Sequence, residues 1–239
     1  MNSEPLDGLP EVLLAEYRKA PPTAPEEPLL GADGQVIASK PSNAPIEVDT
    51  AALLARLARE LEATRTIETG MAAGHSAVAI ASVHAERGEG RHFCVDPYQT
   101  KQWRSAALNL CERAGVGEFV ELIEKPSELA LPALVAEGRS FDLAFVDGLH
   151  LFDHVLIDFF YFDRMLDPGG VIVFHDTWMP AVQKVVGYVL ANRAYERPDG
   201  RTAQLDRETN VAVIRKLAED DRDWFFDEPF DEGLYDLTG

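Results

Sequence analysis

The sequence predicts an α/β fold built on a mostly parallel sheet. Three observations carry that expectation. From residue 47 onward short β-type runs alternate with helical patterns, which is the signature of βαβ units. Phe141–Val146 and Val171–Phe174 are continuous apolar runs of strand length, as expected for strands covered on both faces. The last two strand candidates have no helix between them, so they should pair antiparallel.

Residues 1–46 differ from the rest. They hold Pro5, Pro10, Pro21, Pro22, Pro25, Pro28, Pro41 and Pro45, eight of the fifteen prolines. Between Pro10 and Pro21 there is room for one short helix with Pro10 at its start. Asp33-Gly34 signals a turn, and Gln35–Ala38 a short strand. This segment is read as an N-terminal arm, wrapping the core or covering a site. A helix capped by Asp49 or Thr50 should run to Ala63, with Leu53, Leu54, Leu57 and Leu61 on one stripe. Then come a strand at Arg65–Thr69, a helix at Ser76–Glu86, a strand at Arg91–Val95 and a helix from Gln99 to Ala114. A strand at Phe119–Ile123 and a helix at Glu128–Ala136 follow. After strand Phe141–Val146 comes a long helix, Leu151–Leu166, apolar nearly all round, and then a Pro168-Gly169-Gly170 turn. Strand Val171–Phe174, helix Val182–Asn192 and strands Thr202–Asp206 and Asn210–Arg215 complete the domain, 47–217. Residues 218–239 form an acidic tail whose aromatic residues, Trp224 to Tyr235, are expected to dock on the body.

Composition narrows the function. In 239 residues, 22 basic against 41 acidic side chains give a net charge of −19. Such a field repels polyanions, and there is no basic stripe to hold a nucleic acid or an anionic membrane surface. No apolar run reaches the roughly 18 residues of a membrane span. The opening MNSEPLDGLP has neither the basic nor the apolar region of a signal peptide. Cys94 and Cys111 form no disulfide framework or metal-site spacing, and the chain reads as cytoplasmic.

In a parallel sheet, ligands bind beyond the carboxyl ends of the strands. The informative residues stand there. Glu68-Thr69-Gly70-Met71-Ala72-Ala73-Gly74-His75-Ser76 is a small-residue turn into a helix. A glycine-rich strand-to-helix turn is more often merely a tight turn. Asp96 can accept hydrogen bonds from both hydroxyls of a ribose, or can form a turn. Ser127 follows the third strand and can start a helix. Asp147 and His150 follow the fourth strand, His175 and Asp176 the fifth. Two carboxylates converging with two imidazoles need a shared proton or a cation between them. Trp103 and Trp178 are candidates for pocket walls.

These segments resemble class I S-adenosylmethionine-dependent methyltransferases. Ile67–Ser76 resembles the E-x-G-x-G-x-G-x-S first motif. Phe141–His150 resembles the FD-apolar-DG-x-H motif of a small-molecule O-methyltransferase branch, and Leu166–Gly170 with Phe174-His175-Asp176 its L-x-PGG…HD segment. The resemblance covers roughly residues 50–215. It implies a Rossmann-like, seven-stranded, mostly parallel sheet with an antiparallel C-terminal strand and helices on both faces. It also implies that Glu68, Gly70 and Gly74 lie along the methionine end of S-adenosylmethionine, Asp96 at its ribose and Ser127 near its adenine, with Ser76 also among the cofactor-binding residues. Ala72 stands where many relatives have glycine, and binding should survive if its φ is negative. Metal-dependent relatives hold a divalent ion, magnesium or manganese, with residues matching Asp147, His175 and Asp176, where His175 replaces an acid.

The chemistry fits. A sulfonium methyl needs an in-line nucleophile, and a hydroxyl is a poor one until it loses its proton. His150 is the candidate base, with Asp147 its partner; the bland alternative is a histidine capping the following helix. The expected acceptor is a small molecule, and the apolar helix Leu151–Leu166 offers a seam for a homodimer. Three rivals stay open. A nicotinamide oxidoreductase would need the GxGxxG spacing that is missing. A metal-dependent hydrolase would not need Glu68, Gly70 or Asp96. A non-catalytic cofactor-binding protein would share the fold.

Overall fold

The computed structural model describes residues 8–19, 46–198, 210–226 and 228–229, together with the backbone of 26–30 and 36–41. Helix α1 (Glu11–Arg18) is followed by an antiparallel hairpin, β1 (Glu26–Leu30) and β2 (Val36–Pro41). The expected turn at 31–35 lies outside the described residues. The domain then runs α2 (Val48–Glu60), β3 (Arg65–Thr69), α3 (His75–Arg87), β4 (Arg91–Val95), α4 (Ala106–Arg113) and β5 (Val120–Ile123). It continues with α5 (Ser127–Ala136), β6 (Phe141–Val146), α6 (Phe152–Met165), β7 (Leu166–His175), α7 (Pro180–Asn192), β8 (Tyr195–Glu196) and β9 (Val211–Lys216).

The seven strands β3–β9 are ordered β5-β4-β3-β6-β7-β9-β8. The first five pair parallel, while β9 runs antiparallel to both β7 and β8. Strand order reverses between β3 and β6, so the crevice for a ligand opens beyond Thr69 and Val146.

Period-two alternation builds a core on each face of the sheet. Leu143, Phe145, Val171 and Val173 point one way, with Leu54 of α2, Ile80 of α3 and Leu13 of α1. Ala144, Val146, Ile172 and Phe174 point the other, with Leu131 of α5, Phe159 and Phe162 of α6 and Val185 of α7. Among the described residues no helix is long and apolar enough to cross a membrane.

Several expected boundaries move, each for a local reason. Helix α2 starts two to three residues early, with Glu47 rather than Asp49 or Thr50 at its N-cap. The helix expected from Gln99 forms only from Ala106, because side-chain bonds hold the approach as turns. The Gln99 amide donates to Ala72 O and Asp96 Oδ2, and Thr100 donates its N–H and hydroxyl to Glu124 Oε1. Pro168-Gly169-Gly170 lies inside β7, where pairing with β6 slips register and Gly169 takes φ +98°. The outer partner of β9 is the two-residue β8, and the expected strand Thr202–Asp206 lies outside the described residues. Trp224 and Phe225 do not dock; they are 91% and 68% exposed.

Candidate functional site

At the strand-order reversal lies a pocket of about 330 Å³. Its walls come from Thr69, Gly70 and Ala72 after β3, from Asp96, Tyr98 and Trp103 after β4, from Ser127 and Glu128 at the start of α5, and from Asp147 to Leu149 after β6. Gly70 is required for this closeness. Its φ is +85°, and a Cβ there would stand 2.1 Å from the Asp147 carbonyl oxygen. Ala72 takes φ +44°, so the negative φ on which its tolerance was argued is not present.

Asp96 holds this turn together. Its Oδ2 accepts from the N–H groups of Met71 (3.1 Å) and Ala72 (3.0 Å), and its Oδ1 from that of Tyr98 (2.8 Å). Asp96 thus forms the turn, organising two loops, and it also lines the pocket.

Beside the pocket, the ends of β6 and β7 bring four charged side chains together. His150 Nε2 lies 3.0 Å from Asp176 Oδ2 and 3.4 Å from Asp147 Oδ1. His175 Nδ1 lies 3.0 Å from Asp147 Oδ1 and 3.5 Å from Asp176 Oδ2. Its Nε2 lies 2.9 Å from Glu47 Oε2. Trp178 Nε1 and Asn210 Nδ2 donate to Asp176 Oδ1 at 2.8 and 3.1 Å. Asp176 itself sits at φ +53°, a left-handed conformation that points to constraint at this corner.

Burial opposes charge on both imidazoles, but the carboxylates outweigh it. Asp147 and Asp176 push His150 up to about 9. Asp147, Asp176 and Glu47 push His175 up to about 11. Burial pushes Asp147 up, yet the two imidazoles draw it below its ordinary value. Two cationic imidazoles thus hold the carboxylates together. Asp147, His175 and Asp176 also bring two carboxylate oxygens and a ring nitrogen within 4.8 Å of one another, and that nitrogen becomes a donor to a cation only once the imidazole has given up a proton. That donor set fits a divalent cation, and the nitrogen favours manganese-like ions over magnesium.

Residues 67–177 match the methyltransferase-domain family. The chain carries a methyltransferase domain over those residues. It is 30% identical over 192 residues to catechol O-methyltransferase domain-containing protein 1 of Mus musculus, covering 78% of this chain and 64% of that protein. It is 26% identical over 146 residues to a flavonoid 3',5'-methyltransferase of Vitis vinifera, covering 58% of each. Its fold is similar to that of a Podospora anserina methyltransferase solved with SAH bound, at TM-score 0.62, 18% identity and 88% coverage of both chains. The chain thus spans under two thirds of the length of those two sequence relatives.

Within the methyltransferase domain, Gly70, Asp96, Ser127 and Asp147 meet at the pocket. Glu68, Gly74 and Ser76 stand outside its lining. Glu68 is fully buried, facing His92 Nε2 at 3.5 Å. Gly74 caps α3 at φ +88°, where a Cβ would meet Ala107 at 2.8 Å. Ser76 is buried in the first turn of α3. Asp147, His150, His175 and Asp176 meet in the charged cluster, with Asp147 common to both groups. Of the two tryptophans, Trp103 lines the pocket and Trp178 bonds Asp176. Sequence reasoning missed Glu47, Asn210 and Asp158. Glu47 and Asn210 reach His175 from 128 and 35 positions away, and no local pattern marks such a contact. Asp158 carried a signal: it is an acid on the apolar run of α6.

Proposed function

We propose that this protein transfers the methyl group of S-adenosylmethionine to an oxygen of a small-molecule acceptor. The observation that carries this reading is the double position of Asp147, which lines the nucleotide-sized pocket and also touches both imidazoles of the charged cluster. The pocket fits the methyl donor: glycine backbone at Gly70 admits close approach, Asp96 offers a carboxylate to the ribose, and Ser127 offers a hydroxyl to the base. In the transfer an acceptor oxygen attacks the sulfonium methyl in line. The O–CH3 bond forms, the S–CH3 bond breaks, the pair returns to sulfur, and S-adenosylhomocysteine leaves.

The acceptor's proton goes to His150 in this reading, with Asp147 and Asp176 orienting the ring. As it stands His150, held at about 9, carries its proton at neutral pH. It accepts another group's proton only where the pull of the two carboxylates is offset. Asp147, His175 and Asp176 are the residues that would hold a divalent cation. Such an ion, when bound, supplies the positive charge that acidifies a nearby hydroxyl. A second reading dispenses with the ion, because the His150 ring nitrogen already stands between Asp147 and Asp176 as their counter-charge. Residues 47–217 form the catalytic unit in both readings, with 1–46 as arm and 218–239 as tail. A homodimer seam on α6 finds support in Phe152 and Phe160, 39% and 41% exposed.

Calorimetry with S-adenosylmethionine and with NAD tests the donor site. S-adenosylmethionine should bind at micromolar affinity, about −7 to −8 kcal/mol. Asp96→Ala should weaken it by about 1.5–3 kcal/mol. Tight binding of NAD alone would overturn the assignment. Turnover after exhaustive chelation, with add-back of magnesium or manganese, tests the ion. Best restoration by manganese, lost in His175→Ala, supports the mixed donor set. Unchanged turnover in chelator removes the ion from the mechanism.

A further inference from the structure

Thr66, Glu68, His92 and Cys94 form a polar block inside the sheet, apart from the pocket and from the charged cluster. Thr66 pairs with His92 and Glu68 with Cys94 in the parallel register of β3 and β4. Period-two alternation puts all four side chains on the face that α3 covers, and all are 0% exposed. Glu68 Oε1 lies 3.5 Å from His92 Nε2, yet neither Glu68 oxygen nor that nitrogen makes a hydrogen bond. Buried polar atoms left so are costly. A Glu68 oxygen, a His92 ring nitrogen and Cys94 Sγ all lie within 4.8 Å of one another.

The ring is aimed by its other nitrogen. His92 Nδ1 and His84 Nε2 each stand 2.9 Å from Thr66 Oγ1. Burial holds His84 down to about 4, so it is neutral and able to accept at Nε2. One hydroxyl proton cannot serve both rings, so the chain of bonds has a direction. With His92 donating to Thr66 and Thr66 donating to His84, His92 Nε2 carries a bare lone pair. That lone pair faces the Glu68 carboxylate, and two acceptors so close need a positive charge between them. The reverse direction puts a proton on Nε2, but the 3.5 Å contact does not have hydrogen-bond geometry.

The donors match a zinc-class ion. Two ligands about 2.1 Å from one tetrahedral ion stand about 3.4 Å apart, close to the observed 3.5 Å. Thiolate and imidazole favour zinc over magnesium or calcium. Glu68, with neither oxygen hydrogen-bonded, can bind through both and fill the fourth position. A carboxylate, a thiolate and a neutral imidazole cancel the charge of a divalent ion, as burial requires. Binding displaces the Cys94 thiol proton to solvent. Sequence spacing gives no sign of this site, because strand pairing rather than a local motif gathers its ligands.

We propose that Glu68, His92 and Cys94 hold a structural zinc-class cation that ties β3 to β4 beneath the glycine turn. The site is closed to solvent, so loading accompanies folding. The test is refolding of the full chain from urea with cobalt(II), a spectroscopic stand-in for zinc, under reducing, air-free conditions. Refolded wild type that melts cooperatively should show a thiolate-to-cobalt charge-transfer band. The Asp147 cluster cannot produce that band, because it holds no cysteine. Cys94→Ser should lose the band, and Cys111→Ser, which removes the other cysteine, should keep it. Thr66→Val frees the His92 ring and should weaken cobalt binding about ten- to hundredfold. Absence of the band in refolded wild type would overturn the proposal, and so would its persistence in Cys94→Ser. If Cys94→Ser does not fold, Cys111→Ser decides: a band lost there assigns the thiolate to Cys111 and overturns the proposal equally.

Discussion

Each of the two imidazoles in the cluster faces carboxylates, and the effect is directional in pH. His150 is raised from its ordinary 6.5 to about 9, and His175 to about 11. A raised histidine contributes stability that is fully present below pH 6.5 and is lost as pH climbs through the folded value. Urea unfolding of the chelator-treated protein should therefore show stability falling from pH 7 toward 10. His150→Gln should flatten the part of that fall below about pH 9. An identical pH profile in the variant would mean that His150 is not charged in the folded state. The same substitution should cut turnover about a hundredfold or more and leave S-adenosylmethionine affinity nearly intact. Equal loss of both would mark His150 as structural. At this scale the sequence was legible wherever the strand ends did the gathering. Asp147, His150, His175 and Asp176 were found because β6 and β7 end side by side. Glu47 was not, because its approach depends on how α2 enters the domain, which no short motif encodes.

The turn between β3 and α3 shows how far an element tolerates change. Gly70→Ala would drive a methyl group to within 2.1 Å of the Asp147 carbonyl oxygen. Because that contact is backbone on both sides, relief requires parting β3 from β6. A loss of about 2–4 kcal/mol in urea unfolding is expected, with weaker S-adenosylmethionine binding in whatever remains folded. Ala72→Gly should act in the opposite sense. Left-handed backbone costs a non-glycine residue about 1–2 kcal/mol. Glycine forfeits about 0.4–1 kcal/mol through its looser unfolded chain. The variant should be neutral to about 1.6 kcal/mol more stable; clear destabilisation would show that Asp96 and Gln99 fully compensate the alanine. Strands β3, β4 and β6 were legible to the residue because β-type runs end sharply at turn formers. The start of α4 was not, because Gln99 and Thr100 spend their hydrogen bonds on distant loops rather than on a helix.

Over the whole molecule the net charge of −19 sets a repulsive background. Screening should ease it, so the melting temperature should rise by about 2–4 °C between low salt and physiological ionic strength. Manganese at matched ionic strength should add a further rise in wild type that His175→Ala lacks. The same increment in both proteins would reduce the ion to a general counter-charge. The α/β class and the antiparallel edge followed from the alternation of strands and helices. The two-residue β8 did not, being too short for any period to appear. The two working regions are assembled from different parts of the sheet. The ends of β3, β4 and β5 supply most of the pocket wall, while β6 and β7, with Glu47 and Asn210, supply the charged cluster. Among the described residues Asp147 alone belongs to both. A substitution at position 147 therefore cannot adjust the pocket wall without also altering the charge balance of the two imidazoles, whereas changes at positions 98 or 103 reshape the wall and leave that balance alone.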